Sequence, residues 1–519
     1  MKNYDVIVIG AGNGGLAAAT TCARAGLSTL LLERHNIPGG SASSFVRGRF
    51  EFEPSLHELA GVGAKDKSGQ VEDMFRRFEG DVEWYRHDST FRLVVPAKEG
   101  DTDTFVNENG VEVSLDVRMP VGFENFARKL DEVVPGSYDS CIKAFDLSVR
   151  MFKALDALDD PIKKLPASLK DFPDILKMVS HNMTEALDAL GMPKKAQDIF
   201  NTYWCYLGVP ASRLDFLYYL AMLHSYVQHG TGVPHLRSHE LSLALDKVIR
   251  DNGGDIWYNS EVTKVIMKDG KPAGVVINGE KEVYGKYFVC NSYPYAVFRD
   301  LFDEKDIPER QLKMLNARET SVTLTTVYLG MNKTKEELGI KDYSVFIAPD
   351  SDSDKQFNLV QNYKSGYCII NCLNEIIPDC TPEGTCQLFL TAMTSGDVMK
   401  DVKPQDYKKF KTEVAKDMIE TCEKALNISI TPYIEEIEIA LPPTFARYLN
   451  TPLGTPYGYM LDKWDSMIPR TVQYLKDQPF DNFFFCGATQ ERGDGYSCAY
   501  YTGEKAGGLV VKALKKEGK

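Results

Sequence analysis

The chain lacks several features that would assign it to a broad class at once. No stretch reaches the ~18 consecutive apolar residues that a spanning helix needs. The longest candidate, residues 214–223, is broken by Asp215 and followed by His224. There is no basic excess: 60 Lys and Arg face 73 Asp and Glu, and the formal net charge of −13 argues against nucleic-acid binding as a main role. No CxxC pair occurs among the 11 cysteines, whose number is odd, and no secretory leader is recognisable; together these lead us to expect a reducing cytosol. Low-complexity tracts and fixed-period repeats are also missing. What remains is a globular chain of 519 residues, 43% hydrophobic and 11% aromatic, long enough for two domains with large cores.

The first forty residues carry the strongest signal. An apolar strand at residues 6–9 runs into Gly10-x-Gly12-x-x-Gly15, a small-residue helix follows over residues 16–25, and a second apolar strand at 28–32 ends on Glu33. Strand, glycine turn, helix, strand and acid form the dinucleotide fingerprint in its confirming context. Gly10 permits the tight turn, Gly12 lets the backbone approach a pyrophosphate, and Gly15 lets helix and strand pack closely. Asn13 and Gly14 open the helix, whose free N–H groups and positive dipole end suit phosphates. Glu33 is expected to accept hydrogen bonds from ribose hydroxyls. No second GxGxxG marks a separate nicotinamide site, so the sequence does not set the electron partner.

A further glycine turn follows the acid: Arg34, then Pro38-Gly39-Gly40-Ser41, then Arg49-Phe50-Glu51-Phe52-Glu53-Pro54. This arrangement resembles the FAD-binding N-terminus of the amine-oxidase and phytoene-desaturase superfamily. The resemblance extends along nearly the whole chain. Residues 261–265 (EVTKV) resemble the strand whose backbone, here at Val262, holds the adenine. Cys290-Asn291-Ser292-x-Pro294 is similar to the family's S-N-A-x-P turn, and Tyr328-Leu329-Gly330 to its Y-L-G strand. Residues 443–458 (PTFARYLNTPLGTPYG) resemble a segment of phytoene desaturases, carotenoid isomerases and retinol saturases. Gly487, and then Gly493-Asp494-Gly495-Tyr496-Ser497-Cys498-Ala499, look like the second FAD motif, with Asp494 in place of a glycine, Ser497 of a proline and Cys498 of a glycine.

The resemblance implies an α/β fold: a Rossmann-like FAD-binding domain, assembled from residues 1–119, 229–299 and 476–519, with an inserted substrate domain. That insert is helical over 120–228 and mixed over 300–475. FAD is the implied cofactor, held by Gly10, Gly12, Asn13, Gly14, Gly15, Glu33, Arg34, Gly40, Ser41, Val262, Gly487, Gly495, Ser497 and Cys498. The implied partner is a lipophilic small molecule, polyene or isoprenoid-like, whose C–C or C=C bond exchanges hydride with the flavin. Two rivals share the architecture. One is an amine-oxidase-type enzyme, for which Tyr500 and Tyr501 do not clearly supply the aromatic pair. The other is a non-enzymatic prenyl-binding protein of GDP-dissociation-inhibitor type.

Several residues carry two readings. His57 and Glu58 form a polar pair that binds a head group or moves a proton, or else His57 is a hydrogen-bonded interior residue. Tyr457, Tyr496, Tyr500 and Tyr501 are tunnel walls or proton donors, or ordinary core aromatics; the catalytic candidates are His57, Glu58, Tyr457 and Tyr496. His224, His229, His235 and His239 cluster, but Pro234 places His235 in a loop, and no metal is expected. Cys368, Cys372, Cys380 and Cys386 read as buried thiols. Residues 161–177 mix Lys163, Lys164, Lys170 and Lys177 with apolar side chains: a solvated helix face, or a peripheral membrane contact on an otherwise cytoplasmic protein.

Overall fold

A computed structural model of the chain describes residues 3–156, 173–476 and 478–518. The basic stretch expected at 161–177 falls outside the described residues except for its end, the short helix Pro173–Met178. Among the described residues no helix is long and apolar enough to cross a membrane.

The first sheet has seven strands. In order they are Asp255–Trp257, Thr29–Leu32, Asn3–Ile9, Lys281–Cys290, Lys271–Ile277 and Val262–Lys268, and Phe483–Phe485 also pairs with Lys281–Cys290. The central strands run parallel. Parallel strands covered on both faces are apolar throughout, which is why VIVI and TLLL show no polar alternation. Val6, Val8 and Leu31 face the helices Asn13–Arg24 and Tyr496–Lys516, whereas Ile7, Ile9, Leu30 and Leu32 face the core under Val265, Val275 and Phe298.

Those two helices cross at very close range. An added Cβ at Gly503 would sit 2.1 Å from the Gly14 carbonyl oxygen, and one at Gly507 would sit 2.8 Å from that of Ala18. The small residues of both helices therefore bring the two ends of the chain together at the glycine fingerprint.

The second sheet has eight strands, in the order Ile434–Ala440, Thr323–Met331, Cys386–Thr394, Cys368–Cys372, Ser344–Ile347, Ser89–Pro96, Glu112–Pro120 and Phe105–Val106. Thr323–Met331 and Cys386–Thr394 are buried along their full length. Ile434–Ala440 is the edge, and its charged side chains are matched from outside: Glu435 pairs with Arg49, and Glu438 with Arg47 and Lys411.

One expectation is corrected here. In the sequence, the strand-like segments 82–85, 91–95 and 111–115 suggest a small β-meander within the first piece of the dinucleotide region. Instead Ser89–Pro96 pairs in parallel with Ser344–Ile347 and joins the second sheet, taking Glu112–Pro120 with it. The alternating pattern identifies the strands, but their partner lies some 250 residues away and leaves no local mark. The sequence also suggests one helix over residues 169–190; of its described part, from residue 173 on, Met183–Ala189 begins afresh at Asn182, whose side chain accepts from the Glu185 N–H while Glu185 reaches back to the Asn182 N–H.

Candidate functional site: one cavity between two glycine turns

The strand Asn3–Ile9 ends on Gly10, which adopts φ +89°, and the helix Asn13–Arg24 starts immediately afterwards. Gly15 acts through packing: a Cβ there would lie 1.8 Å from the Gly10 carbonyl oxygen, and the residue does not line the cavity. At the far end of the chain the strand Phe483–Phe485 runs into Gly487 (φ +96°), and the helix Tyr496–Lys516 starts at Gly495 (φ +96°). The two turns touch. A Cβ on Gly14 would lie 3.0 Å from the Gly487 amide nitrogen, and Asn291 fills the space between them.

Both turns open onto a single cavity of about 720 Å³. The helix starts at Gly12 and Gly495 carry no side-chain cap and no acid in the first turn. Each leaves backbone N–H groups without partners and a positive dipole end facing the cavity. Gly12 and Gly14 have their bare faces against Asn291, whereas a Cβ on Gly495 would enter open space. These features fit a dinucleotide whose pyrophosphate lies at the first helix and whose redox-active ring lies at the second.

Glu33 is nearly buried, and both its oxygens are in use: Oε2 accepts from the Ala11 N–H at 2.7 Å and Oε1 from the His35 N–H at 2.8 Å. A carboxylate oxygen accepts more than one bond, so the acid is pre-oriented for ribose hydroxyls. Glu33→Gln keeps the shape but loses the charge-assisted bonds. We expect it to weaken FAD binding about fivefold, equivalent to about 1 kcal/mol, as read by quenching of flavin fluorescence; undiminished affinity would remove Glu33 from the site.

Arg34 lines the cavity and donates to the carbonyls of Arg447 and Tyr448 at 2.6 and 3.0 Å, while His35 Nε2 lies 3.1 Å from the same Tyr448 oxygen. The segment 443–458 is thereby fastened over the cavity, with Tyr448, Asn450 and Tyr457 among its lining residues. Gly40, Ser41 and Val262 also line it, as do Ser497 and Cys498; Ser497 Oγ donates to the Ala60 carbonyl.

The structure brings all four catalytic candidates to this cavity. The segment bearing His57 and Glu58 is held by Glu53, which accepts from the N–H groups of Ser55, Leu56 and Ser238 and from the Ser238 hydroxyl. His57 Nε2 lies 3.1 Å from Thr391 Oγ1 and its Nδ1 has no partner. Burial pushes the imidazole down to about 4, so it is neutral at physiological pH. Glu58 is caged by three hydroxyls, those of Tyr203 (2.9 Å), Tyr206 (3.3 Å) and Thr231 (3.0 Å). Burial outweighs these donors and raises Glu58 to about 7. The Tyr496 hydroxyl donates to the Ser41 carbonyl at 2.7 Å and so ties the closing helix to the front of the chain. Tyr457 packs over Gly208.

Of the other candidates, Tyr500 is fully buried and its hydroxyl reaches Asn13 Oδ1, while the Tyr501 hydroxyl reaches Gln70. His235 stacks on Tyr85 between Glu83 and Asp379, and His239 faces the Ala42 carbonyl. Two residues central to the geometry carry little mark of their role in the sequence. Asn291 is visible there only as part of a turn motif, and Asp494 only as a departure from a glycine.

A cavity with a bare glycine helix start at each end fits an FAD-dependent oxidoreductase, and the chain is one. Comparison with known proteins agrees. Residues 5–118 match the family model described as FAD dependent oxidoreductase. Prolycopene isomerase of Daucus carota is 24% identical over 479 residues, covering 88% of this chain and 72% of that protein. All-trans-retinol 13,14-reductase of Danio rerio is 22% identical over 530 residues, covering 94% and 82%. In fold, the chain is similar to a triple variant of putrescine oxidase, with a TM-score of 0.64 at 14% identity over 98% of this chain and 99% of that one. In sequence the chain is similar to that isomerase and that reductase, and in fold to that oxidase.

Proposed function

We propose that the chain exchanges hydride with a carbon–carbon single or double bond of a lipophilic polyene or isoprenoid-like substrate. The observation that carries this reading is the apolar annex of the cavity. Beyond the glycine turns the wall passes to Leu207, Ala221 and Met222 from the helical insert and to Leu324, Ile369 and Met393 from the second sheet. Such a wall suits a long apolar chain, excludes water and leaves orientation to shape. The similarity to proteins named for prolycopene and all-trans-retinol supports the same substrate class.

Bound flavin supplies the hydride chemistry. The protein contributes the rest. The first helix and Gly12 hold the pyrophosphate, Glu33 the ribose, and the second helix start favours negative charge on the reduced ring. Neutral His57 and hydroxyl-bound Glu58 are among the polar groups that line the cavity. Saturation, desaturation and isomerisation share this machinery, and we favour saturase or isomerase because segment 443–458 resembles that branch. A substrate of this kind is drawn from a lipid phase, so we further propose peripheral membrane contact by a protein otherwise in the cytoplasm.

The test is anaerobic. The flavin is reduced chemically, and all-trans-retinol, prolycopene or putrescine is added. A saturated product with stoichiometric reoxidation identifies a saturase. Conversion of prolycopene without net reoxidation identifies an isomerase. Inert polyenes, together with reduction of the oxidised flavin by putrescine, would replace this reading with an amine oxidase.

A further inference from the structure

The acids around this cavity are not equally provided for. Glu33, Glu53 and Glu58 each have donors at both carboxylate oxygens. Asp494 does not. It lies between Gly493 (φ +79°) and Gly495 (φ +96°), directly ahead of the closing helix, where the resembling motif has glycine. It lines the cavity, is 9% exposed, and its Oδ1 is buried without a hydrogen-bond partner. The two left-handed glycines set the backbone at the uncapped helix start that faces the redox end of the cavity.

We propose that Asp494 is the proton-transferring residue of the reaction, holding the hydrogen that is added to, or taken from, the carbon beside the one that exchanges hydride. This rests on the carbon–carbon redox reading above. Saturation of a double bond adds one hydride and one proton, and the bound reduced flavin supplies only the hydride. The proton passes from the Asp494 carboxyl to the neighbouring carbon as the π pair becomes a C–H bond, and the carboxylate left behind is reprotonated from solvent. In the reverse direction the carboxylate takes the proton as the C–H pair becomes the π bond.

The surroundings suit a carboxyl that carries its proton at neutral pH. Arg470 from the helix Met467–Lys476 is the cation facing it; its Nη2 is committed to Asp465 at 2.7 Å and to the Met460 carbonyl at 3.0 Å, while its Nη1 is buried without a hydrogen-bond partner. The other titratable groups in its field are Tyr226 from the helix Phe216–Val227, Tyr457, and Cys498 on its own helix. Burial raises all three, so they are neutral. Burial likewise raises Asp494 to about 8, against the pull of Arg470.

The experiment compares wild type, Asp494→Asn and Asp494→Glu as holoenzymes. The substrate-free readout is infrared difference spectroscopy against pH. Besides the carboxyl bands of Glu58 and Asp215, wild type is expected to show a further protonated-carboxyl band that disappears as pH rises through about 8; Asp494→Asn lacks this further band and Asp494→Glu restores one. In the second readout, all-trans-retinol reoxidises the reduced enzyme ~100- to 10,000-fold more slowly in Asp494→Asn, at unchanged flavin content. Asp494→Glu recovers part of the rate. If Asp494 merely braces Arg470, Asn would lower the melting temperature while leaving the rate and its pH profile unmoved, and the proposal fails. It also fails if the band persists in Asp494→Asn. If wild-type enzyme ignores every polyene, the substrate reading falls, and the infrared titration still decides whether this carboxyl holds the proton. Should Asp494→Asn not retain flavin, the carboxyl band of Asp494→Glu and its displaced pH midpoint decide the matter.

Discussion

Gly14→Ala should give a folded protein that holds FAD poorly. Gly14 lies in the first turn of a helix with ordinary dihedrals, so alanine is favoured there by ~1 kcal/mol of helix propensity. The new methyl, however, has nowhere to go. It would lie 2.5 Å from Asn291 Oδ1, 3.0 Å from the Gly487 nitrogen and 3.2 Å from the Ala499 carbonyl. Asn291 cannot withdraw, because its Nδ2 already faces the bare side of Gly12 and its Oδ1 that of Gly487, with each ideal Cβ position within 2.6 Å. The clash therefore pushes the two turns apart. Overpacking of this kind costs about 1–3 kcal/mol, and since it falls on the cofactor site we expect FAD binding about 10- to 100-fold weaker. The melting temperature of the apoprotein should barely move, because propensity and clash oppose each other there. Asn291→Ala provides the internal check. If the defect runs through Asn291, Gly14→Ala adds little in that background, a non-additivity expected of groups in contact. Gly26→Ala is the contrasting case: φ is +78° with nothing within 4 Å of the added Cβ, so it strains the backbone by ~1–2 kcal/mol and leaves FAD affinity intact. A Gly14→Ala protein that binds FAD as tightly as wild type would show that the two turns do not enclose one cofactor.

The contrast between Gly14 and the second sheet explains what a sequence can carry. The glycine turn, its helix and Glu33 lie within about thirty residues of one another, and their geometry is local: positive φ, close approach, a helix start. Each leaves a residue-type mark. The strand Cys368–Cys372 is readable for the same reason, as a buried apolar run. Ser89–Pro96 and Ser344–Ile347 are readable as strands, but their pairing is not, because it joins residues some 250 apart and leaves no local residue-type mark. The restart at Asn182 is legible in principle, since Asn182 and Glu185 have the spacing of a capping box. Asp494 stands between these cases. Its departure from glycine can be seen in the sequence, but the missing partner for its carboxyl is a property of the fold.

Glu58→Gln should stabilise the protein at alkaline pH and leave it unchanged in acid. Glu58 is buried beneath the cavity with Tyr203, Tyr206 and Thr231 as donors, and desolvation lifts it from an ordinary 4.5 to about 7. A raised carboxyl means that the native state holds a proton the unfolded chain has already released. Below about pH 4.5 both states are protonated and Glu58 costs nothing. Between there and about 7, unfolding releases a proton, so stability falls with rising pH by up to about 1.4 kcal/mol per unit. Above 7 both states are ionised and the loss levels off at about 3 kcal/mol, the full price of a buried carboxylate. Glutamine has the same shape, keeps an acceptor for Tyr203 and turns its amide toward Thr231, which can accept; it never ionises. Urea midpoints at pH 4 and pH 8 should therefore diverge, with the variant more stable than wild type by about 3 kcal/mol at pH 8 and near parity at pH 4. Asp215, raised to about 7 by burial although its side chain caps the helix Phe216–Val227 through the Tyr218 N–H, keeps some slope in both proteins, so the difference between them isolates Glu58. A variant less stable than wild type at pH 8 would mean that the three hydroxyls stabilise the charged form more than burial opposes it. Glu58 would then stand ionised beside the substrate as a fixed anion, and its bearing on catalysis would have to be argued from that charge.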